Sequence, residues 1–244
     1  MASGVQPLPP GVHIEAISEA INLFQKQWTT YVVATLLFGV IYMGAYFLME
    51  IAMFAVLAAV SLTGSPGSYS GAFPFFAIPV GVGVAVVMGL VFVSMYYGIA
   101  AMALKQIRGY PIGIGDLFSV VRYSPRLLWT SICMGIAVVA GICLCIVPGL
   151  WACGSLRLAP FIALDQNKPA MESLSESWRV AGNFTVGMTM FGMMILIGFL
   201  QQAGAIACLV GLLATVPIGI IATCVEYFYF FPEAFGVQGM PAQA

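Results

Sequence analysis

The sequence predicts an all-α, polytopic membrane protein in which six transmembrane helices form three hairpins, each preceded by a short amphipathic interfacial helix. Three observations carry this. The chain is 61% hydrophobic and 7% charged with a mean hydropathy of +1.03, whereas soluble domains carry about a quarter charged residues. Its apolar residues gather into runs of the length, about 20 residues, that spans a hydrocarbon core of roughly 30 Å. Its few charges gather instead in amphipathic stretches between those runs.

In chain order, residues 1–11, "MASGVQPLPPG", hold neither Lys nor Arg nor an apolar core, so we expect a short disordered lead and not a secretory signal. Residues 12–231 read as one six-span membrane domain and 232–244 as a short tail. The spans are expected near 29–50 (with apolar continuation to 61), 75–104, 127–147, 149–164, 184–208 and 210–231. Their joints are polar or rich in Gly and Pro: "LTGSPGSYSGAFP", "KQIRGYPIGIGD", "VPGL", "DQNKPAMESLSESWRVAGN" and "CLVG". The shortness of "VPGL" and "CLVG" predicts tight antiparallel hairpins.

Lys and Arg accumulate in short cytoplasmic loops. Lys26, Lys105, Arg108, Arg122, Arg126, Lys168 and Arg179 all fall on the side of the N-terminus in a six-span arrangement, and the opposite loops hold none. Both termini are therefore expected in the cytoplasm. The eighth basic residue, Arg157, falls inside the fourth span.

Two amphipathic stretches, "HIEAISEAINLFQKQW" and "PAMESLSESWRVAGN", align at an offset of 157 residues. Ile14, Ile17, Ile21 and Phe24 fall on Met171, Leu174, Trp178 and Ala181, and their three-four-three steps put each set on one helical stripe. Glu15, Ser18 and Glu19 match Glu172, Ser175 and Glu176 identically on the polar side. Such helices are stable lying in the interface with the stripe sunk toward acyl chains and the glutamates in water; the plainer alternative is that they are bent ends of spans. Pro169 and Gly182 mark a start and a stop. A weaker third collar, Gly115 to Ser124, precedes the middle hairpin.

At "APFIALDQNKPAMESLSESWRVAGNF" and "CLVGLLATVPIGIIA" the chain resembles a bacterial group of six-span proteins, the YciC-like proteins and the membrane domain found with some glycerophosphodiester phosphodiesterases. The residues carrying the likeness are Ser173, Ser177, Trp178, Gly182 and Asn183, then Gly211, Leu212, Thr215 and Pro217, with the Pro-Gly hairpin of "CIVPGLWACGSLRLAPFIALD". The resemblance implies an inner-membrane protein of unsettled role. Thirteen residues follow Phe231, so no phosphodiesterase activity is expected to carry over.

Catalysis needs placed acids, bases or nucleophiles, and these are scarce. His13 is the single histidine and is expected on the solvated side of the first collar. No lysine stands in a Gly-rich phosphate loop. A net charge of −1 excludes an electrostatic nucleic-acid binder. Cys143, Cys145, Cys153 and Cys208 cluster near the outer ends of spans, and Met190 and Met194 share a face in "MTMFGMM", but packing outweighs a metal site for both groups. No cofactor is expected. Gly81, Ala85 and Gly89 offer a small-residue ridge on the second span. Pro79, Pro160 and Pro217 each interrupt a span, and shape is the commoner consequence.

One pairing inside the membrane is expected. Arg157 lies roughly 12 Å from the inner end of its span and Glu226 roughly 8 Å from that of the sixth, counting 1.5 Å per residue. Lone charges at such depth are costly, so the two have reason to meet. The leading expectation for function is a non-enzymatic scaffold or accessory subunit with membrane lipids and a protein partner. A small-solute or lipid transporter, motivated by Arg157, Glu226, Gln201 and Gln202, is the alternative.

Overall fold

The computed structural model describes residues 11–63, 69–206 and 209–235. Residues 1–10 of the expected lead, residues 64–68 of the first expected joint, Cys208 and most of the tail lie outside them. Helix accounts for nearly all the rest, no strand occurs among the described residues, and six segments are long and apolar enough to cross a membrane.

Helix α1, Glu15–Lys26, ends at Gln27, and α2 runs Trp28–Thr63. Helix α3, Tyr69–Ile107, completes the first hairpin, well beyond both expected span limits. The third collar is the single-turn helix α4, Ile114–Phe118, followed by a 3-10 turn at Val121–Tyr123. The middle hairpin comprises α5, Ser124–Leu144, then α6, Ile146–Ser155, and α7, Ala159–Asp165. The second collar, α8, spans Ala170–Ala181, and the last hairpin is α9, Phe184–Ile206, with α10, Leu209–Phe230.

Two expected joints move. The middle hairpin reverses at Cys145, whose backbone is extended (φ −170°, ψ 150°), while Pro148 and Gly149 of "VPGL" lie inside the first turn of α6. There Gly149 meets α5 so closely that a Cβ on Gly141 would fall 2.9 Å from the Gly149 Cα. Of "CLVG", Leu209 to Gly211 are helical, and the joint at 207–208 lies outside the described residues. Pro79 and Pro217 sit in helices that continue through them. Pro160 stands just past a true break: the fourth span is two helices, interrupted at Leu156–Leu158.

Each collar packs on the second arm of the hairpin before it. Helix α4 lies on α3, α8 on α7, and α1 on α10, so the first collar closes a ring with the last hairpin. Helix α10 is the hub, touching α1, α2, α3 and α9, and every residue from Gly219 to Tyr229 is buried. Helices α2 and α5, by contrast, leave large apolar side chains such as Phe47, Phe54, Ile136 and Val139 uncovered, as lipid-facing helices do.

The collars meet the bundle by a different stripe from the one expected. The buried residues are Ala16, Ala20, Leu23 and Phe24 on α1, and Ala170, Ser173, Ser177 and Ala181 on α8. At about 100° per residue each helix divides into three arcs. Small residues face the bundle on α8, and Ala16 and Ala20 do so on α1 together with Leu23 and Phe24, while the glutamates and Ser18 or Ser175 lie on another side. Between them run Ile14, Ile17 and Ile21, or Met171, Leu174 and Trp178. Ile14 and Met171 are 66% and 71% exposed, Ile21 36% and Trp178 39%; of the expected stripes only Phe24 and Ala181 are sealed inside. Small residues win the inner arc because backbone-to-backbone approach needs them.

The small-residue ridge of α3 also differs. Space around Gly81 is open and Gly89 only approaches Leu128, whereas Gly98, lower on the helix, lies against the Leu117 backbone. His13 is not solvated as expected: it falls on the bundle-facing arc, with its ring edge-on to Tyr229 at 5.7 Å.

Candidate functional site

Residues Leu156–Leu158 break the fourth span because backbone pairing shifts there. Arg157 N–H bonds to the Gly154 carbonyl and Ala159 N–H to that of Leu156, three residues back in each case. The Ser155 carbonyl, which Ala159 would take in a continuous helix, instead accepts the Ser177 hydroxyl at 2.7 Å. The collar α8 thus caps the break, using a residue of its inner arc.

Arg157 leaves this break toward α10. Its Nη1 lies 3.0 Å from Glu226 Oε2, and its Nη2 donates to Thr223 Oγ1 at 2.6 Å. The Met190 carbonyl accepts from Nη1 at 3.4 Å, which ties α9 into the cluster. Arg157 is 10% exposed and Glu226 fully buried. The pair is close but poorly aligned: neither Glu226 oxygen has a directed hydrogen bond, so the carboxylate keeps unused acceptor capacity.

Below it a second cluster locks the collar end of the bundle. Arg108 meets Asp165 at 2.5 Å, Asp165 accepts the Tyr227 hydroxyl at 3.0 Å, and Gln166 donates to that hydroxyl at 3.1 Å. The Arg108 guanidinium also lies 4.5 Å over the Phe235 ring. Helices α3, α7 and α10 are thereby joined to the segment after α10. A third contact, sealed from solvent, secures α1: Gln106 Nε2 donates to the Leu23 carbonyl at 2.9 Å while its Oε1 accepts Tyr31 at 2.6 Å. The Leu23 carbonyl sits in the last turn of α1, where acceptors lack helical partners.

The charges of this end are largely neutralised locally. Lys105 grips both oxygens of Asp116 at 2.9 Å, and Asp116 also takes the Gly113 N–H at 2.8 Å, which fixes α4. Lys168 bonds Glu176, so Glu176 is half-covered and does not face open water as expected, whereas Glu15 and Glu172 are exposed.

Of the other residues weighed for chemistry, Cys143 and Cys145 are exposed, and the half-buried Cys153 approaches the Met194 sulfur at 3.8 Å. Met190 is sealed in the core. No group of three His, Cys, Asp or Glu side chains could share a metal among the described residues. Sequence reasoning missed the Asp165 and Gln106 contacts, although Asp165 stood in a flagged joint and Gln106 between two flagged basic residues. Compared with known proteins, the chain matches no protein-family model, no curated protein and no solved structure.

Proposed function

We propose that the chain works by association, as a non-enzymatic scaffold or accessory subunit of a complex in the bacterial cytoplasmic membrane, with both termini in the cytoplasm. One observation carries the reading: two collars are held to the bundle by their buried arcs and by hydrogen bonds while the large apolar residues Ile14, Ile21 and Met171 stay exposed, and Trp178, its ring 4.7 Å from that of Trp151 on α6, keeps its other side uncovered. A rigidly mounted apolar edge beside a charged arc suits an interface where one side is lipid or an apolar partner and the other is water. The resemblance to YciC-like six-span proteins speaks for the inner membrane and leaves the role open.

The test is a photoreactive amino acid in place of Trp178, and in place of Ser175 on the polar arc, irradiated in membranes. A protein adduct of one discrete mass from position 178, absent from 175, is expected. Lipid adducts alone from 178 would overturn a protein partner.

A transport reading is favoured by one different observation, the unfulfilled carboxylate of Glu226 beside a broken helix, since discontinuous helices and buried charges line substrate paths. Uptake of a labelled solute or lipid that depends on Glu226 would decide for it.

A further inference from the structure

Two arginines at the start of the middle hairpin differ from the cations around them. Lys105, Arg108 and Arg157 pair with Asp116, Asp165 and Glu226, and Lys168 and Arg179 with Glu172 and Glu176, whereas Arg122 and Arg126 meet no carboxylate among the described residues. Arg122 sits exposed in the 3-10 turn before α5, and Arg126 follows four residues later in the first turn of α5. Like charges a turn apart repel. Arg126 is nevertheless held in place: its Nη1 donates to the Asn167 carbonyl at 2.8 Å and to Asn167 Oδ1. Asn167 offers both oxygens from a left-handed backbone, φ 56°, which Asn tolerates better than most residues. Nη2 and Nε of Arg126 have no hydrogen bond among the described residues, so an oriented guanidinium keeps donors for another acceptor.

The flank beyond these charges faces lipid. Trp129, Ile132, Ile136 and Val139 are all exposed, and their steps of three, four and three put them on one stripe of α5 that continues from Arg126. Helix α5 has 21 residues, about 31 Å at 1.5 Å per residue, which matches a hydrocarbon core of roughly 30 Å. Arg126 therefore stands at headgroup level and Trp129 one turn deeper, where indole rings gather in membranes. The other three reach into the acyl region. We propose that this flank seats an anionic glycerophospholipid, its phosphate taken by the guanidinium groups of Arg122 and Arg126 and one acyl chain laid along Trp129, Ile132 and Ile136. The charge selects the occupant: planar guanidinium groups suit phosphate oxygens, and basic residues at a membrane surface draw acidic lipids. The site uses none of the collar residues that carry the association reading, so either can fail alone.

The experiment uses the full chain in phosphatidylcholine nanodiscs, doped with a trace of phosphatidylglycerol or of phosphatidylcholine carrying the same mid-chain diazirine, and maps adducts by peptide mass spectrometry. One basic residue near an anionic surface is worth about a fivefold preference, so labelling of residues 127–140 should favour phosphatidylglycerol by roughly twentyfold, with no excess along α2. Arg122→Gln, at a side chain that holds nothing in place, should lower the ratio about fivefold, and Arg122→Gln/Arg126→Gln should bring it near one. Arg179→Gln, at a cation with its own carboxylate, should leave it unchanged. Equal labelling by the two lipids at 127–140, the same excess along α2, or an unaltered ratio in Arg122→Gln would overturn the proposal. Loss of the excess in inorganic phosphate at matched ionic strength would also overturn it, assigning the arginines to a free anion. Thermal unfolding checks the double variant; if it does not fold, the ratio in Arg122→Gln decides alone.

Discussion

Replacing Arg157 by Met removes the one counter-charge of Glu226 while keeping an unbranched apolar stem of similar length. Three contacts go at once: the 3.0 Å ion pair, the 2.6 Å bond to Thr223 and the longer one to the Met190 carbonyl. Glu226 is then sealed with neither counter-ion nor hydrogen bond. Breaking a buried pair from one side costs about 3–5 kcal/mol, and the partial exposure of Arg157 argues for the lower figure. At about 2–4 °C per kcal/mol for a chain of this size, a loss of about 3 kcal/mol lowers the unfolding midpoint in mild detergent by roughly 6–12 °C. Glu226→Gln should cost less, because Arg157 keeps Thr223 and the Met190 carbonyl and has some access to water. The double variant Arg157→Met/Glu226→Gln should return to within about 1 kcal/mol of the parent, since no buried charge remains. Thermal unfolding of all four proteins completes the cycle. Strictly additive losses, or a double variant worse than either single one, would show that the two side chains do not form a coupled pair.

Other consequences follow from contacts around the ring. Ser177→Ala should destabilise by about 1–2 kcal/mol in the same assay because it uncaps the Ser155 carbonyl at the helix break; no loss would mean that the break needs no cap. Ala20→Leu, at a fully buried point between α1 and α10, should cost about 1–3 kcal/mol and raise proteolysis ahead of α2 as the first collar lifts. Gly154→Leu should be worse tolerated, since a Cβ there would fall 2.9 Å from the Phe191 backbone nitrogen, whereas Gly192→Leu, with open space around it, should unfold like the parent.

The six spans were legible because hydrophobic run length is set by bilayer thickness, which no tertiary contact alters. The 157-residue repeat was legible because Ile17 and Leu174, or Glu19 and Glu176, recur at matching positions of two amphipathic helices. The Arg157–Glu226 contact was legible from the similar depth of the two residues along their spans. A count along the chain assumes a continuous helix, and the break at Leu156–Leu158 was masked by apolar residues on either side, with Pro160 its one visible sign. The bundle-facing arcs escaped notice because Ala16, Ala20, Ser173 and Ser177 carry little hydropathy signal; their value is the close approach they permit. His13 was misplaced by the same error, since taking the large apolar residues as the inner face shifts every residue of the collar around its axis. The link of Arg108 to Asp165 joins residues 57 apart and depends on how α7 lies across α3, which no local pattern encodes.

The collars are read as three-faced helices, and nitroxide scanning of α8 tests that reading most directly. With the chain in lipid vesicles, labels at residues 170–181 are relaxed by dissolved oxygen, which partitions into lipid, and by a nickel chelate confined to water. Oxygen should dominate at 171, 174 and 178, nickel at 172, 175 and 179, and neither should reach 173 and 177. If 171 and 178 respond to nickel as strongly as 175, the apolar arc faces water and the collar is not an interfacial helix.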